Sequence, residues 1–151
     1  MKILLIEDEQ HKREEIGDYI SEFGDGTIEV NRAVSVHDAV QCVRASEYDL
    51  IILDMALPTF TTSAQNPDSG LDQALGGLEV LRALKMNGTK SRIAIVTQYP
   101  EIRVGAQRFK LRMAQKVLSQ RYGQDVIAAI PYKYKSASNR TRILDLLRGI
   151  V

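Results

Sequence analysis

Residues 48–54 read YDLIILD, and this stretch decides the fold class. Four apolar residues in a row, without polar alternation, are typical of a strand buried on both faces of a parallel sheet. The run ends abruptly on Asp54. Residues 1–6, MKILLI, repeat the pattern and are followed at once by Glu7 and Asp8. Two buried strands that each end on carboxylates predict a parallel sheet with an acidic crevice at its carboxyl end.

Three further segments have strand character, namely TIEVNRAV at 27–34, RIAIVT at 92–97 and DVIAAI at 125–130. Amphipathic helical patterns separate the strands and follow the last one. Short buried strands that alternate with such helices are typical of a doubly wound α/β domain. We therefore predict a single domain over residues 1–151, with a five-stranded parallel sheet and five helices.

Two segments exceed the usual lengths. Pro58–Gly77 is rich in Thr, Ser, Asn, Pro and Gly, which predicts a long inserted loop. The apolar spacing over Glu101–Tyr122 predicts a long fourth helix. A second apolar line on that helix, at Val104, Leu111 and Leu118, has a spacing of seven residues and predicts a surface for a protein partner or a second copy.

The net charge of +1 over 151 residues hides an asymmetry. Residues 1–100 carry 9 basic and 16 acidic side chains, net −7, and residues 101–151 carry 11 and 3, net +8. The basic half has no DNA-reading motif and no aromatic platform, which argues against direct nucleic-acid binding. No apolar run is long enough to span a membrane and no secretory signal opens the chain, so we predict a cytoplasmic protein.

Polar side chains end four of the predicted strands: Glu7 and Asp8, Asp54, Thr97 and Lys133. Since ligands of open parallel sheets bind outside the carboxyl ends of the strands, these groups should face one crevice. Clustered carboxylates repel one another, and Mg²⁺, which prefers oxygen ligands, relieves that repulsion. A lysine and a hydroxyl suit an anionic group, and an aspartate can form an aspartyl phosphate. The set therefore predicts Mg²⁺-dependent phosphoryl chemistry.

On these residues the sequence resembles a response-regulator receiver domain of two-component signalling. The matching motifs occur in the family's order: ILLIEDE at 3–9, DLIILDMALP at 49–58, GGLEVLRAL at 76–84, IAIVTQY at 93–99 and IPYK at 130–133. The resemblance covers essentially the whole chain. It implies a flavodoxin-like sheet with the strand order 2-1-3-4-5.

The resemblance also implies that Asp54 accepts a phosphoryl group from a partner histidine kinase or phosphotransfer protein. Asp8 and Asp54 would hold Mg²⁺, with Glu7 acting on the metal directly or through water and the backbone carbonyl of Ala56 as a further ligand. Gly77 lies 23 residues after Asp54, a longer separation than in typical receivers, in keeping with an insertion.

For the phosphate the resemblance implies Thr97 as a switch hydroxyl and Lys133 as a cation. Typical receivers have a Pro directly after this lysine, whereas Lys133 is followed by Tyr134 and Lys135. Lys135 is therefore an alternative, because it would put Tyr132 three residues before it, where many receivers carry a switch aromatic.

Two hypotheses of function follow. In the first, the chain is a stand-alone phosphoacceptor that signals through protein contacts and has no enzymatic activity beyond Mg²⁺-dependent self-phosphorylation and autodephosphorylation. In the second, it is a receiver-like interaction module that does not use phosphorylation, as the missing Lys-Pro pair and the long loop suggest. A haloacid-dehalogenase type of phosphatase would need Asp-x-Asp at the first strand, which Ile6-Glu7-Asp8 does not supply.

Overall fold

A computed structural model describes residues 1–58 and 69–151, with the backbone alone described at 69–75. In chain order the elements are β1 (Lys2–Ile6), α1 (Gln10–Gly24), β2 (Glu29–Ala33), α2 (Val36–Ala45), β3 (Leu50–Leu53), α3 (Ser69–Met86), β4 (Arg92–Thr97), β5 (Glu101–Val104), β6 (Gln107–Lys110), α4 (Leu111–Tyr122), β7 (Asp125–Pro131) and α5 (Ser138–Ile150). Among these described helices, none is both long and apolar enough to cross a membrane.

Five of the strands form one parallel sheet in the order β2-β1-β3-β4-β7. Because β7 is the fifth strand of this sheet along the chain, the predicted order 2-1-3-4-5 is confirmed. Ile6 pairs with Leu53, and Leu53 with Ile95, so the carboxyl ends of β1, β3 and β4 are level. The acidic residues that follow β1 and β3 therefore enter the same crevice.

Alternate residues of the strands supply two separate cores. Leu4 and Ile6 of β1 face the side that carries α2, α3 and α4, whereas Ile3 and Leu5 face α1 and α5. All four side chains are fully buried. Apolar side chains on both faces explain why the sequences of β1 and β3 lack alternation.

The long fourth helix predicted over Glu101–Tyr122 was wrong. Its first ten residues form an antiparallel hairpin, β5 and β6, and α4 begins only at Leu111. Ile102 and Val104 are buried and their neighbours are exposed, which is the two-residue period of a strand. Gly105 opens the two-residue turn with a φ of 62°, a conformation that a tight hairpin turn requires and glycine adopts readily.

The hairpin also changes the predicted partner surface. Val104, Leu111 and Leu118 are all buried in the core against α3 and the sheet. The prediction that these three residues form an exposed apolar line was therefore wrong. Their seven-residue spacing reflects two different elements packed on one core, not one helical face.

The predicted loop over residues 58–77 is shorter at its carboxyl end, because α3 begins at Ser69. Residues 59–68 of that prediction lie outside the described residues. Gly76 and Gly77 are helical and press against the turn after β3: a Cβ on Gly76 would lie 2.2 Å from the Leu57 carbonyl oxygen. These glycines permit close packing of a helix on the turn that carries Asp54, and their loop-like composition concealed that role.

Candidate functional site

The three predicted carboxylates meet at the carboxyl end of the sheet. The Asp54 N–H donates to the Ile6 carbonyl at 3.1 Å, and the Glu7 N–H donates to the Ala33 carbonyl at 3.0 Å. The sheet ladder thus continues one residue past each strand and fixes where the acids project. Oxygen atoms of Glu7, Asp8 and Asp54 lie within 4.8 Å of one another.

The acidic cluster is shielded from solvent. Glu7 is 1% exposed and Asp54 is 4% exposed, while Asp8 is half-buried. Burial first, and then the charge of Asp54, raise the pKa of Glu7 and the pKa of Asp8 above their ordinary values. Both effects disfavour the charged carboxylates, so the cluster favours a cation at its centre.

The structure places Lys12 in this cluster, a residue that the sequence analysis missed. Lys12 lies near the start of α1 and is 1% exposed. Its Nζ lies 2.7 Å from Glu7 Oε2 and 3.4 Å from Asp54 Oδ2, and it donates to the Val96 carbonyl at 3.0 Å. A buried charge of this kind requires paired carboxylates, and the crevice provides two.

The spacing of residues in α1 could have indicated from the sequence that Lys12 is buried. Lys12, Ile16 and Ile20 recur every four residues and all are buried, so the lysine continues the stripe of α1 that faces the sheet. The stripe reaches the crevice at its amino-terminal end, just after the acidic residues. A lysine on a buried stripe beside clustered acids indicates an internal ion pair.

Thr97 and Tyr132 also lie where the sequence predicted them, at the ends of β4 and β7. Thr97 is fully buried, and its Oγ1 accepts the Tyr99 N–H at 3.2 Å. The Tyr132 N–H donates to the Thr97 carbonyl at 2.8 Å, which joins the two strand ends. The Tyr132 ring is 3% exposed, and the Lys12 Nζ lies 5.1 Å from the ring centroid, within reach of a cation–π contact.

Glu15 of α1 fixes the tyrosine. It accepts hydrogen bonds from the Tyr132 hydroxyl, from the Tyr19 hydroxyl at 2.6 Å and from Asn139 Nδ2 at 3.4 Å. Burial acts to raise the pKa of Glu15, but these hydrogen bonds outweigh it and hold the pKa below its ordinary value. The carboxylate is thus an anchor for α1, β7 and α5 together.

The two lysines predicted for the phosphate, Lys133 and Lys135, lie on the surface. Both side chains are exposed, and in the described part of the chain neither forms an ion pair with the acidic cluster. Asn139 holds the Lys133 backbone through its N–H and its carbonyl, at 3.0 and 2.6 Å. Lys135 has a left-handed φ of 58°, and its Nζ lies 5.4 Å from the Tyr134 ring centroid.

The residues present fit a magnesium ion. Mg²⁺ prefers hard oxygen ligands and is usually held by one or two carboxylates plus waters. The side chains of Asp8 and Asp54 offer such oxygens within reach of one another. The Ala56 N–H donates to Asp54 Oδ1 at 3.4 Å, so the chain stays next to the carboxylate two residues after it.

Comparison of the sequence with known proteins gives a consistent result. No family model matches the chain. It is 31% identical over 138 residues to the Detocs response regulatory protein DtcB of Vibrio alginolyticus, which covers 89% of this chain and 91% of that protein. It is 27% identical over 145 residues to the uncharacterized protein y4jR of Sinorhizobium fredii, with 95% and 94% of the two chains covered.

The fold gives the same answer. The chemotaxis response regulator CheY4 of Vibrio cholerae superposes with a TM-score of 0.64 at 17% identity, over 99% of this chain and 97% of that one. The response regulator TrrA of Thermotoga maritima, solved in complex with Mg²⁺ and BeF, gives 0.61 at 17% identity over 99% and 98%. With the relative of matching length, this fold shows that the chain belongs to the response-regulator receiver family of two-component signalling.

Proposed function

We propose that the chain is a single-domain receiver whose Asp54 accepts a phosphoryl group from the phosphohistidine of a partner histidine kinase or phosphotransfer protein. The observation that carries the proposal is the shielded cluster of Glu7, Asp8 and Asp54 at the carboxyl end of the sheet, with the Thr97 hydroxyl at the next strand end. Glu7 and Asp8 alone would suit the start of a helix; together with Asp54 they would suit a divalent cation that binds the phosphoryl group.

The transfer exchanges one bond to phosphorus for another. An Asp54 carboxylate oxygen attacks the phosphorus, the bond from phosphorus to the donor's histidine nitrogen breaks, and the nitrogen keeps the electron pair. The acyl phosphate that forms carries more negative charge than the carboxylate did. Burial of Asp54 makes that charge costly, so the residues around it must supply cations and donors.

For the metal we assign Asp8 and Asp54 as ligands, with the Ala56 carbonyl as a third and Glu7 acting directly or through a water. Mg²⁺, when bound, would neutralise oxygens of the transferring group. The protein's own part is to hold these oxygens close together before the metal arrives. Hydrogen bonds from Arg13 Nη1 to the Glu7 and Asp8 carbonyls, at 3.0 and 3.1 Å, stiffen this acidic turn.

For the response to phosphorylation we assign Thr97 and Tyr132. The Thr97 hydroxyl would release the Tyr99 N–H and donate a hydrogen bond to a phosphoryl oxygen. Since the Tyr132 N–H donates to the Thr97 carbonyl, a shift of Thr97 would also displace the end of β7. Two arrangements of these side chains would make a switch whose balance phosphorylation changes. Lys133 and Lys135, the two lysines that the sequence offered for the phosphate, both lie on the surface, so neither is assigned this part here.

The output would be a protein contact made by the region of β5, β6 and α4. Residues 102–124 contain six basic side chains and no acidic one, and those of Arg103, Arg108, Lys110, Arg112 and Lys116 are exposed. This surface suits an acidic face of a downstream protein or of a second copy. Catalysis by the chain would be limited to Mg²⁺-dependent self-phosphorylation and autodephosphorylation.

One experiment tests the proposal. The purified chain is incubated with acetyl phosphate and Mg²⁺ and read by intact mass; attack by Asp54 would release acetate. We expect one phosphoryl adduct on the wild type and on Asp125→Ala, an exposed acid at the start of β7, and none on Asp54→Ala. An unlabelled wild type would favour the phosphorylation-independent interaction module. An adduct that survives Asp54→Ala would place the phosphoryl group on another residue and contradict the proposal.

A further inference from the structure

Three oxygens surround the Lys12 ammonium, one of which accepts a hydrogen bond and two of which belong to ion-paired carboxylates. An ammonium has three N–H donors, and Lys12 Nζ has three oxygen partners: Glu7 Oε2, Asp54 Oδ2 and the Val96 carbonyl. The partners come from the ends of β1, β3 and β4, so the nitrogen lies at the centre of the crevice. The Tyr132 ring, 5.1 Å away, covers it from the end of β7.

Neither lysine after β7 is placed to do the same. Lys133 and Lys135 are exposed, and the backbone of Lys133 is held by Asn139 on both its polar groups. At the end of β7 the buried side chain is that of Tyr132, and its ring centroid lies 5.1 Å from Lys12 Nζ. The end of β7 therefore brings an aromatic ring to the crevice, and the cation beside Asp54 comes from α1.

The three contacts of Lys12 differ in length. The contacts to Glu7 and Val96 are short, at 2.7 and 3.0 Å, whereas the contact to Asp54 is 3.4 Å. The contact with Asp54 is the longest and therefore the weakest, and Asp54 is the carboxylate that would be phosphorylated. A lysine has a flexible stem and a compact charge, so its nitrogen can shift from a carboxylate to a neighbouring oxygen without a new backbone position.

We propose that Lys12 is the lysine that pairs with the phosphoryl group on Asp54, in place of a lysine after the last sheet strand. The inference rests on the proposed function of Asp54. In the unphosphorylated protein Lys12 neutralises Asp54; after transfer it keeps Glu7 and exchanges the Asp54 oxygen for a phosphoryl oxygen. Phosphorylation would thereby act on α1, which carries Lys12, as well as on β4.

The test compares Lys12→Met with the double variant Lys133→Met/Lys135→Met in the acetyl phosphate assay. Methionine keeps an unbranched stem in the buried position but removes the charge. We expect Lys12→Met to slow labelling of Asp54 by at least about tenfold, since removing a charge-stabilising donor from an active site commonly costs about a hundredfold or more. The double variant should label at the wild-type rate, and Lys12→Arg should recover part of the loss.

A role of Lys12 in folding alone would lower the melting temperature without this pattern, so each variant is also melted with and without Mg²⁺. Wild-type labelling of a folded Lys12→Met, or loss of labelling in the surface double variant, would overturn the inference and leave the proposed function of Asp54 intact. If Lys12→Met does not fold, the labelling rate of Lys133→Met/Lys135→Met decides: the wild-type rate supports the inference and a loss of labelling overturns it. A wild type that is never labelled contradicts the proposed function first and the inference with it.

Discussion

The packing of α3 on the turn after Asp54 can be tested at two glycines of the same chain. Gly76 lies in α3 against that turn, and Gly149 lies near the end of α5 with no atom within 4 Å of the place a Cβ would take. Alanine favours a helix over glycine by about 1 kcal/mol. Helix propensity therefore predicts that both Gly→Ala variants are more stable than the wild type, and tertiary packing predicts opposite signs.

The magnitude follows from the distances. A Cβ on Gly76 would lie 2.2 Å from the Leu57 carbonyl oxygen and 2.6 Å from the Leu57 Cβ, whereas real Cβ contacts essentially never fall below 3.0 Å. The obstacle is backbone, and Leu57 is fully buried, so relief needs a shift of the turn or of the helix. Overpacking costs typically 1–3 kcal/mol and sometimes more; after the helical gain we expect a net loss of ~2 kcal/mol.

Urea unfolding at pH 7, followed by far-ultraviolet circular dichroism, measures both variants. Gly76→Ala should lower the free energy of unfolding by ~2 kcal/mol, which corresponds to a fall of about 4–8 °C in melting temperature for a chain of this size. Gly149→Ala should raise the free energy of unfolding by less than about 1 kcal/mol, because Gly149 lies in the last turn of α5, where helices fray. A Gly76→Ala protein as stable as the wild type would refute the close packing of α3 beside Asp54.

Three further outcomes are expected. Ile102→Ala should lower the free energy of unfolding by ~2–4 kcal/mol because the Ile102 side chain is buried in the β5–β6 hairpin. Arg103→Ala, at the exposed neighbouring position, should change the free energy of unfolding by less than about 0.5 kcal/mol. Equally small effects of the two substitutions would contradict the hairpin. Glu15→Gln should cost ~1–2 kcal/mol at pH 7, since a charged acceptor of the Tyr132 hydroxyl is lost. The pKa of Glu15 is lowered in the folded protein. The greater stability of the wild type over Glu15→Gln should therefore be present above pH 4.5, the ordinary pKa, and vanish as the pH falls through the lowered pKa. A stability difference that persists at strongly acidic pH would contradict the role of Glu15 as a charged acceptor. Mg²⁺ at about ten times its dissociation constant should stabilise the wild type by ~1.4 kcal/mol, reversibly with a chelator, and Asp8→Asn should abolish that gain; a gain that Asp8→Asn retains would place the metal elsewhere.

The strands and their acidic ends could be predicted from the sequence because both signals are local. A strand buried on two faces is apolar throughout, so a carboxylate directly after it marks the end of the strand. Asp54 after β3 and Glu7 after β1 meet this description, and the parallel order of the sheet brings them together. The receiver fold and the acidic cluster were thus determined by short segments and by the rule that strand ends meet.

The hairpin could not be predicted in this way. The apolar residues of 101–111 fit a two-residue period and a helical spacing about equally well, and α4 continues the helical pattern directly afterwards. The strand conformation is decided by the core on one face of the sheet, because Ile102 and Val104 pack into it from the same side of β5. Short apolar patterns are ambiguous by periodicity alone, and packing resolves them.

Lys12 shows the same division in the site. On the sequence it is one more charged residue of a helix, and lysines are normally solvated because burial of an unpaired ammonium is costly. Its burial depends on a carboxylate 42 residues further along the chain and a backbone carbonyl 84 residues away. The sequence by itself determined the fold and the acidic cluster at the strand ends. Only the tertiary structure decided which side-chain cation lies among these acids, because charge pairing in a buried crevice depends on atoms that the chain brings together from distant segments.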